Sequence, residues 1–162
     1  VNDDWDTRVQ AVWDDDALSD DERIDRIDAL AGERAPNDAR ALFERAGALD
    51  SAGREAQAEP LYRAALAARL DETHRPQAVI QLASTLRNLG AVDEAIGMLR
   101  SELDRSPVSP LRDEAAAFLA LALAARGDHD EALALALRTL APHLRRYTRS
   151  VQWYAGQLAR EG

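Results

Sequence analysis

Leu86-Arg87-Asn88-Leu89-Gly90-Ala91-Val92-Asp93-Glu94-Ala95 is the stretch whose reading decides the fold. Apolar residues at helical spacing, Val79, Leu82, Ala83, Leu86 and Leu89, lead into it and stop at Gly90. Glycine suits the left-handed backbone position that ends a helix. A second helix begins almost at once, because Asp93 and Glu94 favour the positive end of a helix dipole. The stretch is therefore the turn of a helix–turn–helix unit.

Working outward, the same unit recurs. Gly53, Gly90 and Gly127 lie 37 residues apart. Ala46, Ala83 and Ala120 keep that step before each glycine, as do Leu49, Leu86 and Leu123. Ala58, Ala95 and Ala132 keep it afterwards, followed by Leu66, Leu103 and Leu140. Columns in register across three copies mark a helical repeat array. Small Ala columns fit where paired helices cross closely, and Leu columns fill the space between pairs.

These residues resemble the tetratricopeptide repeat family, whose core pattern is small–Leu–Gly–Ala–Leu. Tyr62 stands where that family prefers an aromatic, and Pro107 where its closing proline belongs. The likeness covers residues 37–144 and is nearest to the bacterial tetratricopeptide group 5. The period of 37 exceeds the family's about 34, which predicts longer connections. The family's early Trp is missing, with Leu42, Val79 and Ala116 in its place. The resemblance implies a non-enzymatic protein-interaction module that forms homodimers.

The flanks extend the array. Trp5, Val9, Val12 and Trp13 share one face of a helix over 4–16. Ser19-Asp20-Asp21-Glu22 is a capping box that opens a second helix with Ile24, Ile27 and Leu30 inward. Gly32 and Pro36-Asn37-Asp38 then break the chain. At the other end a last helix is expected from Pro142 to about Arg160, with Tyr147, Val151, Tyr154 and Leu158 as its inward stripe. Terminal repeats need such atypical caps. The expected architecture is an all-α solenoid of nine helices in a single domain, 1–162. An acidic helix pair (1–35), three repeats (37–144) and a C-terminal helix (145–162) make it up.

Composition excludes several kinds of chemistry. There is no Cys, so thiol catalysis, disulfides and thiolate zinc sites are ruled out. All 20 basic residues are Arg. The net charge of −9 sits entirely in residues 1–33, whereas residues 132–162 carry +4. That overall sign disfavours nucleic acid as a partner. The longest run without a polar side chain, Ala115–Ala125, is too short to span a bilayer. No leader opens the chain, which reads as cytoplasmic, with no membrane partner and no cofactor. His74, His129 and His143 have no second ligand at metal spacing. No phosphate loop or nucleophile elbow is present, which leaves a hydrolase as a remote alternative.

The binding surface is expected from the resemblance, which puts the first helix of each pair on the concave face. The candidate groove is then Phe43, Gly47, Asp50, Ile80, Ser84, Arg87, Asn88, Ala117 and Leu121. The basic clamp with which some relatives hold chaperone tails is absent. Two occupants are open: a partner's peptide segment, with the chain a monomeric adaptor or sensor, or the chain's own C-terminal helix folded back. The third repeat is apolar nearly all round, over Ala115–Ala125 and Leu133–Leu137. Such a helix must be covered on every side, by the last helix, a second subunit or both. The candidate self-association face is Arg146, Arg149, Trp153 and Arg160. It is expected to meet the acidic start of another chain under a two-fold axis.

Overall fold

The three periodic glycines have φ of +70°, +88° and +102° at Gly53, Gly90 and Gly127. Each ends the first helix of a pair in the left-handed conformation that a Cβ disfavours. The computed structural model describes residues 2–161, with side chains over 4–160. Among the described residues it contains nine α-helices, one 3-10 turn and no strand. The fold is all-α, of the helical-repeat class that includes the solenoids.

The chain forms two compact units, residues 1–85 and 86–162. The first contains α1 (Asn2–Trp13), α2 (Asp20–Ala31), α3 (Ala39–Ser51), α4 (Glu55–Ala67) and most of α5 (Arg75–Asn88). Ser19 caps α2 as its sequence predicts: Glu22 N–H donates to Ser19 Oγ, and Ser19 N–H donates back to Glu22 Oε2 at 3.0 Å. Trp5, Val9 and Val12 of α1 pack with Ile27 and Ala31 of α2 and Ala41 and Ala48 of α3. The Trp5 indole N–H donates to Leu30 O at 2.8 Å, and Arg34 lies over its ring at 3.8 Å.

Deeper in the unit, Ala46, Ala58, Tyr62 and Ala65 are fully buried, so the small column lets α3 and α4 cross closely. Tyr62 donates to Asp50 Oδ2 at 3.2 Å, and Thr85 Oγ1 lies 3.1 Å from Asp50 Oδ1 and 3.0 Å from Gln81 O. Burial raises the Asp50 carboxyl above its ordinary range, partly offset by those two hydrogen bonds. Burial likewise raises the Tyr62 phenol, and the Asp50 charge adds to it. The acids of the N-terminal segment meet local arginines. Arg8 pairs with Glu33 at 2.5 Å, Arg45 with Asp28 at 2.6 Å, Arg26 with Asp15 at 3.5 Å, and Arg54 with Asp21.

The second unit contains the end of α5, then α6 (Val92–Leu103), α7 (Arg112–Arg126), α8 (His129–Leu140) and α9 (Thr148–Glu161). Helix α7 packs on both α6 and α8, and α9 packs on α8.

Two details correct the sequence reading. α1 ends at Trp13, short of residue 16. Pro142 does not open the last helix: Ala141–His143 is a 3-10 turn that prolongs α8, and α9 starts only at Thr148. Tyr147 takes φ +67° in that connection and stays exposed. The expected Tyr147–Val151–Tyr154–Leu158 stripe is therefore not the buried one: Tyr154 is also exposed, and Ala155 is the buried centre of α9.

Candidate functional site

The second unit carries an open apolar groove of about 880 Å³ between α7 and α8. Ala117, Leu121, Ala132, Leu133, Ala136 and Leu140 supply its apolar floor and walls. Leu121, Leu133 and Leu140 are 51%, 48% and 50% exposed, which is unusual for leucines grouped on one surface. Polar groups lie along it: Asp113, Glu114, His129, Thr139 and His143, with His143 Nε2 3.0 Å from Asp113 Oδ2.

The repeat itself explains why this surface is open. Ile96, Leu99 and Glu102 of α6 stand 37 residues before Leu133, Ala136 and Thr139 of α8. On α6, where α7 packs, Ile96 and Leu99 are each 1% exposed and Glu102 is buried. On α8 the same columns face solvent or are only half-covered.

Helix α9 starts 36 residues after α7, and by register it is the helix that should cover them. It packs on α8 elsewhere. Ala134 is 1% exposed, although its counterpart Gly97 on α6 is exposed with nothing within 4 Å. Ala134 and Ala136 lie about 200° apart around a helix. α9 therefore sits on the face of α8 opposite the groove and leaves the register seat empty.

The candidate residues from the sequence divide between the two units. Phe43 and Ile80 are buried core side chains in the first unit and present no open wall. Phe43 lies 6.3 Å from the Tyr62 ring and 5.9 Å from that of His74. Next to it, Asp71 accepts from the backbone N–H groups of Thr73 and His74 and faces the His74 ring. Although burial pushes the Asp71 carboxyl up, these His74 and Thr73 hydrogen bonds bring it below its ordinary value.

Gly47 is covered by Trp13, whose ring would lie 3.4 Å from an added Cβ. The Trp13 indole donates to the buried Glu44 at 2.6 Å, and Arg40 pairs with that carboxylate. Asp50 and Ser84 are half-buried in the same unit. Of the rest, Arg87 donates to the exposed Asn88 at 3.1 Å, and Ala117 and Leu121 line the open groove. Leu133, Ala136 and Leu140 were not assigned to the groove by the sequence; the apolar run Leu133–Leu137 was the signal for the first two, and Leu140 reads there only as a packing column.

The second candidate face is exposed. Arg149, Trp153 and Arg160 project from α9 within about 40° of one another, on the side away from the buried Ala155. Arg146 precedes the helix and is also exposed. The C-terminal helix does not fold into the groove of its own unit.

A family model described as Tetratrico peptide repeat matches residues 39–158, nearly three-quarters of the chain. The protein belongs to the tetratricopeptide repeat family. The match spans all three helix pairs and reaches into α9, so α9 counts as repeat material by sequence as well as by register. No curated protein and no solved structure matches the chain. Tetratricopeptide repeats generally mediate protein–protein interaction, and they are typically non-enzymatic. Among the described residues no helix is long and apolar enough to cross a membrane, and no group of three or more His, Asp or Glu is placed to hold a metal.

Proposed function

We propose that this protein is a non-enzymatic interaction module that binds helical protein segments, its own kind among them, through the α7–α8 groove. The observation that carries this reading is the exposure of Leu121, Leu133 and Leu140 along one groove, where Leu133 and Ala136 stand in columns whose α6 members, Ile96 and Leu99, are buried. Surfaces of this composition mark binding sites when they are contiguous and rimmed by polar groups. The groove is long enough to take a helix, because its lining runs from Asp113 to Ala124 along α7, a helix of 15 residues, and from His129 to Leu140 along α8, a helix of 12. Its lining is mainly apolar with few polar groups, a composition that suits an amphipathic helix and offers little to a reacting substrate.

Pairing between the acidic N-terminal segment and the basic C-terminal one is a weaker basis for self-association, because Arg8, Arg26, Arg45 and Arg54 already meet the N-terminal acids. A photo-cross-linking residue placed at Leu133 tests the reading in cells. It should capture a polypeptide, whether another copy or a different protein, whereas the same residue at the exposed Arg63 should capture none. No adduct at 133 would remove the groove from the account.

A further inference from the structure

The two ends of the groove differ in charge. His143 Nε2 lies 3.0 Å from Asp113 Oδ2, so the start of α7 and the end of α8 meet at one end, and Glu114 stands exposed there. Both carboxylates of the lining belong to this end. At the other end Gly127 joins the two helices, and Ala124 and His129 supply the lining. The floor between them is shallowly filled: Ala136 stands in the column that Leu99 occupies on α6. A helix seated here must bring the bulk that this column has lost.

Helix α6 shows how a helix is received. α7 packs on it, and Arg112 in the first turn of α7 donates to Leu103 O, at the end of α6, at 2.9 Å. The start of the incoming helix thus lies beside the end of the receiving one. Leu140 is the counterpart of Leu103 at 37 residues, and it lines the acidic end of the groove. The chain's own continuation is poorly suited to this seat. Ala115, Ala120 and Leu123 are buried on α7, and their counterparts on α9 are Gln152, Gln157 and Arg160. Two amides and a guanidinium in those columns cost free energy when desolvated against alanine and leucine.

We infer that the seat takes an amphipathic helix of a different protein, antiparallel to α8, with basic side chains in its first turn at Glu114 and Asp113 and a bulky apolar side chain over Ala136. This rests on the reading of the groove as a helix-binding surface and adds the direction, charge and shape of the occupant. The acidic end attracts both the basic side chains and the positive end of the incoming helix dipole. Leu121, Leu133 and Leu140 then pack among apolar side chains spaced three and four apart along the occupant.

The probe is a synthetic peptide of about 15 residues, with leucines at helical spacing on one face and two arginines in its first turn. Fluorescence anisotropy with the full chain at low salt should show it binding about tenfold more tightly than the same peptide with glutamates in place of the arginines. Glu114→Lys should erase or reverse that preference. Ala136→Leu restores the α6 side chain in its column and should weaken binding about tenfold or more by filling the floor. The chain has no cysteine, so the direction is readable by disulfide formation. A thiol on the first residue of the peptide should join Leu140→Cys and not Leu133→Cys, which lies about 10 Å away along α8. All four positions are exposed, so unchanged circular dichroism will show that the variants fold. Equal affinity for the two peptides, indifference to Ala136→Leu, or a first-residue thiol that prefers position 133 would overturn the inference and leave the helix-binding reading standing. A photo-adduct at 133 with a second copy, matched by competition from unlabelled protein, would overturn it in favour of self-association. Failure of both peptides to bind would also overturn it, and absence of any adduct at 133 would remove the helix-binding reading as well.

Discussion

Substitution of Gly47 discriminates between a covered α3 face and an open one. Gly47 sits in the middle of α3, where glycine lowers helix stability by about 1 kcal/mol relative to alanine. A Cβ at this position would meet Trp13 Cζ2 at 3.4 Å, Cη2 at 3.6 Å and Tyr62 Oη at 4.0 Å, which is ordinary van der Waals contact. Gly47→Ala should therefore gain most of that propensity term, about 0.5–1 kcal/mol. The melting temperature should rise by about 2–4 °C per kcal/mol. Gly47→Leu would extend three more carbons into the Trp13 ring and should lose about 1–3 kcal/mol by overpacking. Urea unfolding, followed by far-UV circular dichroism and by tryptophan fluorescence, reads both changes. If Gly47 faced an open groove instead, leucine would be tolerated as well as alanine. Equal stability of the two variants would refute the placement of Trp13 over α3.

Other substitutions probe separate parts of the account. Ile96→Ala, in a fully covered column, should cost about 2–5 kcal/mol in a denaturation measurement, whereas Leu133→Ala in the same column should stay within about 0.5 kcal/mol in dilute solution. Gly127→Ala should destabilise by about 1–2 kcal/mol, because its φ of +102° is strained for any residue with a Cβ. Ser19→Ala should remove about 1 kcal/mol through loss of the α2 cap, read in the same way. Asp50→Asn tests the buried carboxyl. The folded state raises its pKa, so the native state holds this proton more tightly than the unfolded one. Its stabilising effect is full below the unfolded value and is lost as pH rises through the folded one. The stability of Asp50→Asn relative to wild type should therefore improve from acid to neutral pH, and a gap that stays constant across that range would contradict the assignment.

The repeat was legible because its determinants are local and periodic. Gly53, Gly90 and Gly127 need a positive φ, and the Ala and Leu columns fix which helix faces meet. The capping box at Ser19 is equally local. The start of α9 was not legible. Pro142 suits the first turn of a helix, but it falls in a 3-10 extension of α8, and the real break is Tyr147 at φ +67°. A tyrosine in that conformation leaves no sequence signature. The groove was partly legible. The all-apolar character of Ala115–Ala125 and Leu133–Leu137 required a cover on every side, and the structure supplies it through α7 and α9 but leaves the groove side of α8 open. Which side was not decidable from periodicity, because Ala134 and Ala136 are the same residue type on opposite faces. Phe43 and Ile80 were placed in the groove by analogy of position, although large apolar side chains at the centre of an array are more readily explained as core.

Everything proposed for the groove depends on α9 lying behind α8 and not in the seat its register assigns. Thiol labelling of two neighbouring single-cysteine variants in dilute solution measures this directly. Leu133→Cys and Ala134→Cys differ by one position and about 100° around α8. The account predicts rapid modification at 133, where the side chain is 48% exposed, and strong protection at 134, where it is 1% exposed. Protection at 133 together with rapid labelling at 134 would place α9 in the groove and contradict the account.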